Sequence, residues 1–202
     1  MADVTISGLS PSTPNKDTAV IPFSDGSTTY KTSPSGIVAA SPGAVIQVIC
    51  AIKTDISVTT STTFVDIPGL AASIVPKSTS NKVLFTGNVF GACSNNAFVR
   101  IMRSIGGAAY SQVYTSTSTV GNRTPVSFGD FYMVGSPGNG AGKQNTSIFL
   151  DTPNTTDEVI YKLQYKTTAA GNQFSINSTY YDANAAYQAI GASSVTLMEI
   201  AG

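Results

Sequence analysis

No stretch of this chain repeats its apolar residues every three or four positions for the length of a capped helix. What recurs instead is the short apolar run closed by glycine, proline, asparagine or serine, the pattern of strands and turns. Val159, Tyr161, Leu163 and Tyr165 alternate with Lys162, Gln164 and Lys166, which reads as a half-exposed strand. Val45–Lys53 is apolar on both parities, so a central strand covered on both faces is expected there.

Further strands are read at Thr62–Ile67 and Leu70–Val75, with a bend at Pro68-Gly69, and at Val83–Phe90, where Gly87 could mark a bulge. Phe98–Ile105 and Ala108–Tyr114 flank Gly106-Gly107, a hairpin signal. Pro125–Val134, Thr146–Leu150, Gln173–Asn177 and Ser194–Ile200 complete the set, and Ala183–Ile190 could form a turn or two of helix. Roughly eight to ten short strands with turns between them predict an all-β, antiparallel jelly-roll sandwich over residues 44–202.

Residues 1–43 differ in kind. They hold Pro11, Pro14, Pro22, Pro34 and Pro42 and little that could fill a core. Ala19–Phe23 and Thr28–Thr32 are expected to pair around Asp25-Gly26, a favoured tight turn. The segment reads as an extended N-terminal arm that orders against a partner.

Charge and chemistry narrow the function. Acidic and basic residues number 11 each, so no basic field draws in nucleic acid or anionic lipid. Only 11% of residues are charged, against ~25% in ordinary soluble domains, which suits a chain that hides surface in an oligomer. The longest apolar stretch, Ala44–Ile52, is too short to span a bilayer as a helix. Met1–Ser10 has no basic start leading into an apolar run, so export is not expected, and Cys50 and Cys93 are read as buried free thiols.

Histidine is absent, which removes the Ser-His-Asp and Cys-His arrangements and the commonest metal ligand. Gly142-Lys143 lacks the first glycine and the Ser/Thr of a phosphate-binding loop. Asp157 and Glu158 are adjacent, so on a strand they would point to opposite faces. No catalytic residue, cofactor or metal site is expected.

Two groups of residues remain as candidates. Arg100 and Arg103 lie on opposite parities of one apolar strand, so at least one shares a face with apolar side chains. Either Arg103 sits at the strand end with its stem over apolar surface, or one arginine lies at a subunit contact, paired with a carboxylate such as Glu199. In Asn177–Tyr187, the residues Tyr180, Tyr181, Asn184 and Tyr187 could expose rings and amides to a surface glycan, or pack across a subunit interface.

Ile67–Phe85, IPGLAASIVPKSTSNKVLF, resembles a signature of β-domains at the C-terminal ends of tailed-phage fibres and other virion proteins. The strand FVRIMR and the terminal YYDANAAYQAIGASSVTLMEIAG are similar to later parts of that pattern, so the resemblance covers about Val45–Gly202. ISGLSPSTPNKDTAVIPFSDGSTTYKTSPSGI resembles, more loosely, the segment by which such fibres attach to a virion.

The resemblance implies a homotrimeric jelly roll of the tumour-necrosis-factor and complement type, assembled in the host cytoplasm and carried on the virion. A short tail fibre or fibre tip that recognises a host glycan is the first expectation, with other virion proteins held through the arm. A trimeric capsid decoration protein is the second, and a small polysaccharide-degrading enzyme a remote third.

Overall fold

The computed structural model describes residues 21–24, 29–32, 41–118, 121–132, 141–180, 184–186 and 188–202. The chain divides into two units, Met1–Ala44 and Val45–Gly202. In the first, β1 (Ile21–Ser24) pairs antiparallel with β2 (Thr29–Thr32), the expected hairpin. Its Asp25-Gly26 turn and residues 1–20 and 33–40 of the proline-punctuated arm lie outside the described residues.

The second unit contains β3 (Val45–Lys53), β4 (Ser57–Thr59), β5 (Val65–Ile74), β6 (Lys82–Cys93), β7 (Ala97–Ile105), β8 (Ser111–Val113), β9 (Lys143–Asp151), β10 (Val159–Thr167), β11 (Phe174–Ile176) and β12 (Ser193–Ile200). One antiparallel sheet has the order β5-β10-β7-β8. The other is organised around the long β6, which pairs with β9 on one edge. Its opposite edge is shared by β12 over Lys82–Asn88 and β11 over Gly91–Cys93. Beyond those lie β3 and β4.

With the short β4 and β11 set aside, consecutive long strands mostly cross from one sheet to the other. The strands then run β3-β12-β6-β9 opposite β5-β10-β7-β8, which is the order of a jelly roll. The fold is therefore all-β, two antiparallel sheets in a sandwich.

Alternation builds the core. Val159, Tyr161, Leu163 and Tyr165 of β10 point inward, as do Val83, Phe85 and Val89 of β6 and Val195 and Leu197 of β12. Phe85 packs against Phe149 and Tyr161 with centroids 5.3 and 5.7 Å apart, and Phe131 and Tyr165 both meet Phe174.

Several local expectations are met. Pro68-Gly69 bends β5 within one continuous strand: Gly69 has φ +80°, and the pairing with β10 shifts register between Lys162 and Gln164. Gly106 and Gly107 have φ +57° and +77° and turn β7 into β8.

Others are corrected. Gly87 is not a bulge, since its pairing with both neighbours is unbroken. A Cβ there would lie 2.7 Å from Phe128 Cζ and 2.8 Å from Phe85 Cε1, so the glycine makes room for two rings. β3 is an edge strand with one face open, not a central one.

Pro125–Tyr132 is not a regular strand: it is held by Ser127 and Phe128 N–H to Val99 O, by Phe131 N–H to Ala97 O and by a single bridge between Tyr132 and Cys93. The remainder of that expected strand lies outside the described residues. Residues 184–186 and 188–190 show a single turn, Gln188 N–H to Ala185 O, and no helix. Both cysteines are free, but only Cys93 is buried; Cys50 is exposed because its parity on β3 faces outward.

Candidate assembly face and recognition loop

The two outer faces of the sandwich differ in chemistry. On the four-stranded sheet the outward residues form one polar and aromatic chain. Lys162 Nζ lies 2.8 Å from Asp66, which also accepts from Gln164 Nε2 at 2.7 Å. Gln164 Oε1 in turn accepts from Arg100 Nε and Nη2 at 2.9 and 2.7 Å. The Arg100 guanidinium stacks 4.1 Å from the Phe64 ring centre, and Lys162 lies 3.9 Å from that of Tyr110.

Burial opposes ionisation of Asp66, but hydrogen bonds from Lys162 and Gln164 outweigh it and hold the carboxyl below its ordinary range. Partial burial lowers the Arg100 pKa, which leaves it a cation at any ordinary pH. This face is satisfied within the chain and suited to water.

The outer face of the six-stranded sheet is the opposite. Reading across the strands, Val48, Met198, Leu84 and Leu150 stand in register as one apolar row. Cys50, Thr196, Thr86 and Ile148 form the next, and Val45 and Ile200 extend the surface at one end. Ile148 is 53% exposed, Val48 52%, Leu150 51% and Ile52 67%. Lys82 is the one charged side chain facing outward from these four strands. Contiguous apolar surface of this kind on a folded chain marks a contact site.

The inward ends of β12 and β9 carry acids instead. Glu199 and Asp151 flank Val83 in one row at the edge of the core. Glu199 is fully buried and accepts from Gln47 Nε2, Lys77 N and Asn81 Nδ2, each at 2.6 Å. Asp151 receives both bonds of Arg103 Nη1, at 2.8 and 2.7 Å, and the Tyr161 hydroxyl at 2.6 Å.

Arg103 thus ties the two sheets together at the end of its strand, while its Nε is buried without a hydrogen-bond partner among the described residues. Burial, then the Asp151 contact, raises the Tyr161 pKa far above that of a free phenol. Within the chain neither arginine pairs with Glu199: Arg100 bonds Gln164, Arg103 bonds Asp151, and Glu199 is fully buried.

At the opposite end of β12 a loop leaves β11 and returns to the same place. Asn177 N–H bonds Phe90 O, and Gly191 N–H bonds Asn177 O, so the loop's two ends meet. The Asn177 side chain is wholly buried and fully used: its Nδ2 donates to Lys53 O and Asp55 O, and its Oδ1 accepts from Ser193 Oγ. Its φ of +63° is a conformation that asparagine tolerates better than most residues.

Among the described residues of the loop, Thr179, Asn184, Gln188 and Ile190 line an open pocket of about 330 Å³, with the buried Thr179 hydroxyl donating to Gln188 Oε1 at 3.0 Å. Asn184, expected at a recognition surface, lines it, and Tyr180 stands half-buried beside it in sequence. Tyr181 and Tyr187 lie outside the described residues.

Sequence reasoning missed the apolar row and Asn177. The doubled apolar parity of β3 was the available signal for the first; nothing local announced the second.

No family model matches the chain, and no curated protein does. Among solved structures it is similar to a chain in the structure of the infectious bursal disease virus Gx strain, at 10% identity and a TM-score of 0.39. The match covers 89% of this chain and 42% of the other. A likeness that distant has no bearing on what the chain does.

Proposed function

We propose that this chain is a structural protein of a tailed-phage virion, a homotrimeric short fibre or fibre tip that presents its loops to the host surface. The observation that carries the reading is the contrast between the two outer faces. One is a bonded network of charges and rings; the other is an apolar, nearly uncharged surface left open in a single chain.

The occupant of the open face is taken to be sister copies of the chain. A surface with one lysine and no carboxylate offers little electrostatic complementarity to a charged partner, whereas apolar patches pair with their like. The number three comes from the sequence resemblance. Subunit contact is therefore assigned to Val48, Leu84, Ile148, Leu150 and Met198, in place of Arg100, Arg103 and Glu199.

The second unit also has two functionally distinct ends. The chain enters β3 at Val45, opposite Ile200 and close to Glu199, whereas Lys53 stands opposite Ser193 beside the closed loop. Nine strand residues at ~3.4 Å each separate these ends by about 30 Å. Attachment at one end and recognition at the other suits a tip, and three copies would present three loops at once, so avidity could exceed any single contact.

Gold-labelled antibody on intact particles tests the assignment. Label on the tail, with adsorption blocked, is the expected result. Label over the head, with particles that burst when the protein is removed, would instead make it a shell decoration.

A further inference from the structure

We infer that sister copies join by sheet extension, the free edge of β3 in one copy pairing antiparallel with the free edge of β9 in the next. This rests on the trimer proposed above and names the joint that holds it.

The edges of the two sheets are built differently. In the polar sheet, β5 is interrupted by Pro68 and by Gly69 at φ +80°, and β8 is three residues long. Both are devices that keep a further strand from adding. The two long edge strands of the apolar sheet have neither. Among the described residues β3 pairs with β12 alone and β9 with β6 alone, and each strand is nine residues long. Val45–Ile52 contains no proline, glycine or charge, and β9 is charged only at its ends, Lys143 and Asp151. Along each free edge every second residue turns its N–H and C=O away from the sheet, ready to bond another strand.

The core is also unfinished at these two edges. Ile49 has the inward parity of β3 yet is 37% exposed, and Phe149, inward on β9, is only half-buried. An added strand would cover both.

Chain polarity permits the joint. Three antiparallel steps, from β3 to β12 to β6 to β9, leave β9 antiparallel to β3, so a neighbour in the same orientation brings its β3 antiparallel to this β9. A contact between two different edges is head-to-tail, the kind that closes into a ring. Pairing of β3 with β3 across a two-fold axis would leave every β9 bare.

Cysteine cross-linking of the full-length protein tests the joint. Cys50, exposed on the outer face of β3, is one partner, and the buried Cys93 is out of reach. The other partner is introduced singly on the outward positions of β9, as Gln144→Cys, Thr146→Cys, Ile148→Cys or Leu150→Cys, because a register that keeps the same face moves in steps of two residues. A disulfide needs Cα atoms about 4.4–6.8 Å apart, which facing residues of paired strands supply. Mild oxidation should convert at least one variant to species of two and three chains on a non-reducing gel, absent from the parent and lost when Cys50→Ser is added. Native mass of the same samples reports assembly.

Native trimers in which no variant links, or in which the parent links through Cys50 alone, would overturn the joint and leave the trimer standing. Native monomers that stay unlinked would overturn the trimer itself.

Discussion

The carboxylate of Asp151 on β9 and the guanidinium of Arg103 on β7 meet across the sandwich, with Nη1 2.8 and 2.7 Å from the two oxygens. They belong to different sheets, so the pair fixes how one sheet end sits over the other. The Arg103 and Asp151 side chains are 23% and 13% exposed, which leaves the pair little screened by water.

Arg103→Ala should cost roughly 2–3 kcal/mol, because it strands a mostly buried carboxylate. Arg103→Met with Asp151→Leu should recover a good part of that loss, since no charge is then left unpaired. Urea unfolding of the three proteins checks both. A double variant no more stable than the single would mean the pair itself supplies the stability.

Tyr161 makes the same site sensitive to alkali. Burial and then the Asp151 contact raise its folded pKa above the unfolded value of about 10, so its contribution is whole below pH 10 and is lost as pH rises beyond it. The loss is at most about 1.4 kcal/mol per pH unit. Stability measured from pH 8 to 12 should fall less steeply in Tyr161→Phe; parallel curves would contradict this.

Asp66 acts at the other end of the scale. Hydrogen bonds from Lys162 and Gln164 overcome the opposing effect of burial, so its folded pKa lies below the unfolded value of about 3.9. Its contribution is present above that value and is lost as pH falls through the lower, folded one. Acid titration of Asp66→Asn should show a shallower decline below pH 4 than the parent.

Gly87→Ala should destabilise by about 1–3 kcal/mol, the usual cost of an extra methyl group in a filled core. The new Cβ would meet the rings of Phe128 and Phe85 at 2.7 and 2.8 Å. Gly107→Ala provides a contrast: nothing lies within 4 Å of its Cβ, so any cost there comes from φ +77° alone. Thermal unfolding of both variants separates crowding from backbone strain.

Most of the strands were legible because alternation in β10 and paired turn glycines after β7 are local signals. What escaped was whatever depended on a distant partner. Apolar residues on both parities of Val45–Lys53 predict burial on both sides, yet one parity faces the core and the other, Val48 and Ile52 among them, stands open. A single strand cannot distinguish a covering sheet from a covering neighbour. Asn177 likewise looks like any loop asparagine until the fold brings Lys53, Asp55 and Ser193 around it. The partner of Arg103 is also illegible in the sequence, because Asp151 lies 48 residues away, beyond any local pattern.

The most direct measurement is the mass of the purified protein in native buffer, beside that of Leu150→Arg. If the outer face of the six-stranded sheet is closed by sister copies, the parent has the mass of three chains, and the variant, with a charge placed in the apolar row, dissociates while keeping its β-sheet circular dichroism. A parent that is a stable, folded monomer at micromolar concentration would contradict the account, and so would a variant that remains a trimer.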